Sequence, residues 1–153
     1  MKILDEKGLS GIVKLVLDII FIGGIAILLA LPFLLDWYLD LFVRYTTETY
    51  WFLLPFLYLT GISALAILNE LRRIFRTFNR RNPFQMDNVK SLKIMAYSAF
   101  IISALYIVKV IFYNSFLTII LAMVFVIAGF FTLVLAEVFR QAVIVKEEND
   151  LTI

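Results

Sequence analysis

Four long apolar runs restrict what this sequence can fold into. A helix needs about 20 mostly apolar residues to cross a hydrocarbon core about 30 Å thick, and the runs at about 12–35, 51–71, 92–113 and 116–138 meet that requirement. A helix pairs its own backbone polar groups in lipid, and these runs do not alternate as membrane β-strands do. The sequence therefore predicts an all-α polytopic membrane protein with four transmembrane helices in a single domain, residues 1–153.

The composition argues against an enzyme. Hydrophobic residues make up 63% of the chain, whereas an ordinary soluble domain contains about half. The sequence has no Cys and no His, so thiol catalysis, zinc sites and histidine acid–base chemistry lack their usual residues. It also has no phosphate-binding glycine loop and no nucleophile elbow. We therefore predict no catalytic residue, no cofactor and no metal site.

Positive charge is concentrated between the second and third runs. Residues 72–93 carry seven of the fourteen Lys and Arg residues, whereas residues 36–50 carry three acids against one arginine, and residues 114–115 are uncharged. Lys and Arg are enriched in cytoplasmic loops of membrane proteins. This asymmetry predicts that both termini, the loop 72–91 and the tail 139–153 are cytoplasmic. A short hairpin between helices 3 and 4 then lies outside.

The second helix is predicted to continue beyond the membrane. Apolar residues recur at helical spacing in this region, and three arginines form a ridge on another face. The ridge consists of Arg72, Arg76 and Arg80. We name residues 72–81 the basic extension. It should end near Asn82, because Pro83 disfavours helical dihedrals in the residue before it. Asp87 or Asn88 is then available to cap the third helix.

Three interpretations of the basic extension remain open. Its arginines can hold anionic lipid headgroups, each contributing about 1 kcal/mol near a charged surface. Alternatively, the extension is a docking surface for a cytoplasmic protein. Nucleic-acid contact is a third interpretation, but the interleaved Phe75, Phe78 and Phe84 are better used against lipid or neighbouring helices. No direct nucleic-acid partner is expected.

The carboxyl end carries apolar residues that a solvated tail does not need. Leu151 and Ile153 follow a charged stretch, and chain ends fray unless something holds them. We therefore predict that residues 150–153 pack into a groove of this protein or of a partner.

Two ionisable residues lie within predicted spans, where charge is costly and raises a functional hypothesis. Asp18 is better explained by a structural ion pair than by an ion or proton site. Its candidate partners are Lys14, Lys93 and Arg140. Lys109 is expected to extend its ammonium group to the outer surface. Glu70 and Glu137, at the cytoplasmic rim, are expected to pair with nearby arginines.

Two segments resemble a known family. The motif Asn82-Pro83-Phe84 with Asn88, together with the ending KEENDLTI at 146–153, is similar to the bacterial membrane family catalogued as domain of unknown function 2975. The resemblance implies four spans in a bacterial inner membrane and carries no catalytic residues over to this chain. It also implies a genomic neighbour, a small helix-turn-helix transcription regulator.

The leading functional hypothesis is a membrane protein that binds a cytoplasmic partner, such as that regulator, and controls its availability. The candidate docking residues are Arg72, Arg76, Arg80, Arg81, Asn82, Pro83, Phe84, Asn88, Lys146, Asp150, Leu151 and Ile153. Two alternatives stay open. One is a small transporter or channel component that uses Asp18 as an ion-sensitive group, and the other is a structural or stress-protective membrane protein.

Overall fold

A computed structural model of the protein describes residues 8–42, 47–80 and 83–152. These residues form four α-helices. The helices are α1 (Leu9–Phe42), α2 (Thr47–Asn79), α3 (Met86–Phe112) and α4 (Phe116–Thr152). Each contains a stretch that is long and apolar enough to cross a membrane. The prediction of an all-helical chain with four candidate spans is therefore confirmed.

The helices extend further than the predicted spans. The fourth span was expected over 116–138, but α4 continues to Thr152 and includes nearly all of the predicted tail. At about 1.5 Å per residue, its 37 residues measure about 55 Å, well beyond the roughly 30 Å of hydrocarbon. An apolar run ends where lipid ends, whereas helical hydrogen bonding continues into water when the following residues are good helix formers.

Each helix packs against its neighbour in the sequence, and the α3–α4 contact is the most extensive. Residues 113–115 connect α3 to α4 and define what we name the turn end of the bundle. The aromatic rings of Phe52 and Tyr113, 4.8 Å apart, place the start of α2 at the same end. We name the opposite end, where α2 ends and α3 begins, the basic end.

The buried core lies between α2, α3 and α4 at the basic end. Ile74, Leu92 and Ala136 form it, one from each helix, and all three are at most 4% exposed. The peripheral helix is α1, in which the buried residues are Ser10, Leu17, Leu35 and Leu39. Three helices therefore share a common core, and α1 packs against α2.

Two glycines allow the helices to approach closely, as small residues do in membrane bundles. A Cβ atom on Gly24 would lie 2.8 Å from a side-chain carbon of Leu65. On Gly129 it would lie 2.6 Å from the ring of Phe100. Gly24 therefore fits α1 against α2, and Gly129 fits α4 against α3.

Candidate functional site

Two cations hold Asp18 of α1 at the basic end. Lys14 Nζ donates to Asp18 Oδ2 at 2.8 Å, and Arg72 Nε donates to Asp18 Oδ1 at 2.5 Å. The Arg72 guanidinium also lies over the Phe21 ring, 4.4 Å from its centroid. We name these four residues the Asp18 cluster. Its Arg72–Asp18 hydrogen bond connects α1 to α2 and is charge-assisted, which makes it stronger than a neutral one.

The Asp18 cluster confirms one predicted partner and adds one that the sequence did not reveal. Lys14 was expected. Arg72 was not, because it lies on α2 and was assigned to the docking surface. Both Asp18 oxygens accept a hydrogen bond from a cation, which agrees with a structural ion pair. Arg140, another candidate, instead pairs with Glu137 at 2.6 Å.

Asn88 is fully buried and joins α3 to the end of α2. Its Nδ2 group donates to Thr77 Oγ1 at 2.7 Å and to the carbonyl oxygen of Pro83 at 2.5 Å. Two expectations for Asn88 are therefore wrong. It does not cap α3, since Gln85 occupies the N-cap position and no side chain caps the helix. It also cannot contact a docking partner, because it is 0% exposed.

The basic extension presents arginines to solvent along α2. Arg76 and Arg80 are exposed, and the side chain of Arg73 is 55% exposed. Arg72 belongs to the Asp18 cluster, so it does not contribute to this exposed surface. Two candidate docking residues, Arg81 and Asn82, lie outside the described residues.

Phe84, which follows the basic extension, packs against α4. The ring of Phe84 is 43% exposed and contacts that of Phe139 edge to face, with centroids 5.6 Å apart. Pro83 is partly buried. This contact places Phe84 beside the segment of α4 that leads into the tail.

The tail projects from the bundle as a helix. Every residue from 145 to 152 is exposed, including Lys146 and Asp150. Leu151 is 86% exposed, so it packs into no groove of this chain, and that part of the prediction is wrong. Ile153 lies outside the described residues, and packing of the tail against a partner stays a prediction.

The predicted pairing of Glu137 with an arginine is confirmed at the base of the tail. Glu137 accepts hydrogen bonds from both Nε and Nη2 of Arg140, at 2.9 Å and 2.6 Å. Hydrogen bonding to this carboxylate raises the pKa of the Arg140 guanidinium above its ordinary value. The pair is exposed, so it contributes little to stability.

Three buried polar atoms have no hydrogen-bond partner within the described part of the chain. They are Glu70 Oε2, Asn88 Oδ1 and Ser91 Oγ. Glu70 is 6% exposed, and its carboxylate lies 3.4 Å from Arg73 Nη1. The predicted pairing of Glu70 with an arginine is therefore confirmed. Ser91 was not singled out, since a lone serine between Lys90 and Leu92 has no distinguishing pattern.

Lys109 lies near the turn end, far from the Asp18 cluster. Its ammonium group approaches Thr118 Oγ1 at 3.5 Å and lies 5.5 Å from the centroid of the Phe56 ring. The ammonium group thus contacts side chains of α2 and α4, rather than extending only to the surface. Lys109 and Asp18 do not pair with each other, since the partners of Asp18 are Lys14 and Arg72.

In the residues that the structure describes, no cluster of three His, Cys, Asp or Glu side chains could hold a metal ion.

The family described as "Protein of unknown function (DUF2975)" matches residues 43–153. The chain belongs to this family. The DUF2975 match includes α2, α3 and α4 and excludes α1, so the Asp18 cluster joins the matched region to a helix outside it. No curated protein and no solved structure matches the chain.

Proposed function

We propose that this member of the DUF2975 family is an inner-membrane protein whose basic end lies in the cytoplasm and binds a cytoplasmic protein. The charge distribution supports this orientation, since residues 72–93 hold seven of the fourteen cationic side chains and cytoplasmic loops are enriched in such residues. Both termini then lie inside, and residues 113–115 lie outside.

The observation that carries the binding proposal is the exposed tail. If the hydrocarbon region ends near residue 138, about 14 further residues of α4 extend roughly 20 Å into the cytoplasm. Leu151 is 86% exposed there, beside charged residues. An apolar side chain on a projecting polar helix is a suitable anchor for a groove in a partner, as in other helix-in-groove complexes.

The proposed docking face combines this tail with the exposed arginines. Its described members are Arg76, Arg80, Pro83, Phe84, Lys146, Asp150 and Leu151. The arginines on their own could instead contact anionic headgroups. The tail carries Glu147, Glu148 and Asp150, which an anionic membrane surface repels. This repulsion favours a tail directed into the cytoplasm, where a protein partner is available.

The proposed partner is a small helix-turn-helix transcription regulator, the kind of neighbour that the family resemblance implies. Holding such a regulator at the membrane would lower its concentration at DNA, and a signal that weakens docking would release it. The function proposed is therefore control of the regulator's availability, with no reaction performed by the membrane protein.

Crosslinking and co-purification from native membranes test this proposal. We expect the tagged protein to recover one small DNA-binding protein. Leu151→Glu should reduce that recovery about tenfold, equivalent to about 1.4 kcal/mol of binding energy, because it places a charge where an apolar anchor is needed. Quantitative mass spectrometry of the purified complexes provides the measurement.

Leu9→Glu is the matched control. Leu9 is also an exposed leucine, 60% accessible, at the same end of the bundle but outside the docking face. This variant should recover the partner as the unmodified protein does. Repeated purification of the bare protein, or equal recovery with Leu151→Glu, would contradict the proposal.

A further inference from the structure

Lys109 is a cation within a predicted span and has no counter-ion among the described residues. The ion pairs there join other residues, and the polar side-chain contact of Lys109 is Thr118 Oγ1 at the long distance of 3.5 Å. Thr118 is itself 3% exposed. A charge within a span is costly unless it is paired or reaches water. Lys109 lies in the last turn of α3, so an anionic group at the turn end could pair with its ammonium group.

The ammonium group also lines a cavity. This cavity, which we name the head cavity, has a volume of about 340 Å³ and lies at the turn end. Lys109, Ser115 and Thr118 supply polar groups to its wall, together with the aromatic side chains of Tyr38 and Tyr106. An anionic group here could accept hydrogen bonds from the lysine ammonium and from a threonine hydroxyl.

A second, predominantly apolar cavity adjoins the first. It has a volume of about 560 Å³ and is lined by residues of all four helices, including Gly23 of α1 and Phe125 of α4. We name it the tail cavity. Leu57 and Tyr106 line both cavities, so the two meet at those side chains. A cationic head site and an apolar tail site are therefore adjacent.

We propose that the two cavities bind a single-chain anionic amphiphile, with a long-chain fatty acid as the specific ligand. Its carboxylate would pair with Lys109 and Thr118, and its chain would occupy the tail cavity. Both volumes lie within the 300–1,000 Å³ typical of small-ligand sites. Cavities of this size suit one acyl chain better than the two chains of a phospholipid. The surrounding bilayer would supply the ligand.

Gly23 provides a way to close the tail cavity without disturbing the helices. It lines that cavity, and a Cβ atom built on it would meet nothing within 4 Å. The leucine side chain of Gly23→Leu should therefore fill part of the tail cavity that the acyl chain would otherwise occupy. Gly24 is unsuitable for the same substitution, because its Cβ would lie 2.8 Å from a side-chain carbon of Leu65.

A photoreactive palmitate analogue tests the site on the full-length protein in nanodiscs of phosphatidylcholine. We expect crosslinks to peptides that line the two cavities, and competition by unlabelled palmitate. Lys109→Met should lower the labelling about tenfold, because an ion pair in a low-dielectric site is lost, whereas Lys109→Arg should retain most of it. Gly23→Leu should lower the labelling to a similar extent, and Gly23→Ala less.

Three competitors identify the ligand class. Palmitate should displace the probe, whereas hexadecanol, which has the same chain but no charge, and phosphatidylglycerol, which has two chains, should displace it poorly. Equal competition by hexadecanol would overturn the role of Lys109, and equal competition by phosphatidylglycerol would overturn the single-chain ligand. Unchanged labelling of both Lys109→Met and Gly23→Leu, each eluting as the folded protein does in size exclusion, would overturn the site itself.

Discussion

Asn88→Asp is expected to destabilise the protein by about 3 kcal/mol or more, the cost typical of an uncompensated buried charge. The side chain of Asn88 is 0% exposed. Its amide nitrogen donates to Thr77 Oγ1 and to the carbonyl oxygen of Pro83. Aspartate replaces this donor with a charged acceptor that faces the Pro83 carbonyl. Unfolding by SDS titration in detergent micelles, followed by circular dichroism, provides the measurement.

Two further variants separate lost hydrogen bonds from buried charge. Asn88→Ala removes the donor without adding a charge, and should cost about 1–3 kcal/mol because a buried acceptor is left unsatisfied. Lys90→Ala, at an exposed position two residues away, should change the free energy of unfolding by no more than about 0.5 kcal/mol. If the Asn88→Asp variant were as stable as the unmodified protein, this result would show that Asn88 does not connect α3 to the end of α2.

Asp18→Asn is expected to lower the free energy of unfolding by about 1.5–3 kcal/mol, the range for hydrogen bonds to charged groups. The substitution leaves Arg72 and Lys14 without their shared carboxylate. The Arg72–Asp18 ion pair joins α1 to α2, so its loss should weaken the attachment of α1. The same SDS titration measures the loss, and faster proteolysis near the start of α1 would locate it.

A double-mutant cycle with Arg72→Gln tests whether the Asp18 cluster acts as one unit. The two substitutions remove partners of the same hydrogen bond, so their combined cost should be smaller than the sum of the single costs. Arg76→Gln, one turn further along an exposed face, is the matched control and should be additive. If Asp18 were instead the ion-sensitive group of a transporter, Asp18→Asn would abolish flux while leaving stability unchanged.

The sequence predicted the helices well because the requirement for crossing lipid is coarse. Any run of about 20 apolar residues satisfies it, and single substitutions do not obscure the pattern. The end of each helix was less predictable. Hydropathy falls after residue 138, but α4 reaches Thr152, because hydropathy records where lipid ends rather than where helical hydrogen bonding ends.

The polar contacts between helices were harder to predict. The spacing of Arg72, Arg76 and Arg80 correctly indicated a helical ridge. The position along that ridge decides whether an arginine meets α1, as Arg72 does, or is exposed, as Arg76 is. Asp18 lies 54 residues before Arg72, and no local pattern connects them. Asn88 matched the residue types that cap helices, although its partners on α2 and in the preceding turn become visible only once the helices are packed.

The central claim is that the basic end faces the cytoplasm, and single-cysteine labelling tests it most directly. The chain contains no cysteine, so Arg80→Cys and Asn114→Cys each introduce a unique thiol at an exposed position. In intact cells, a membrane-impermeant maleimide should label Asn114→Cys, and should label Arg80→Cys only after the cells are permeabilised. Labelling of Arg80→Cys from outside intact cells would contradict the orientation, and with it the proposed docking face.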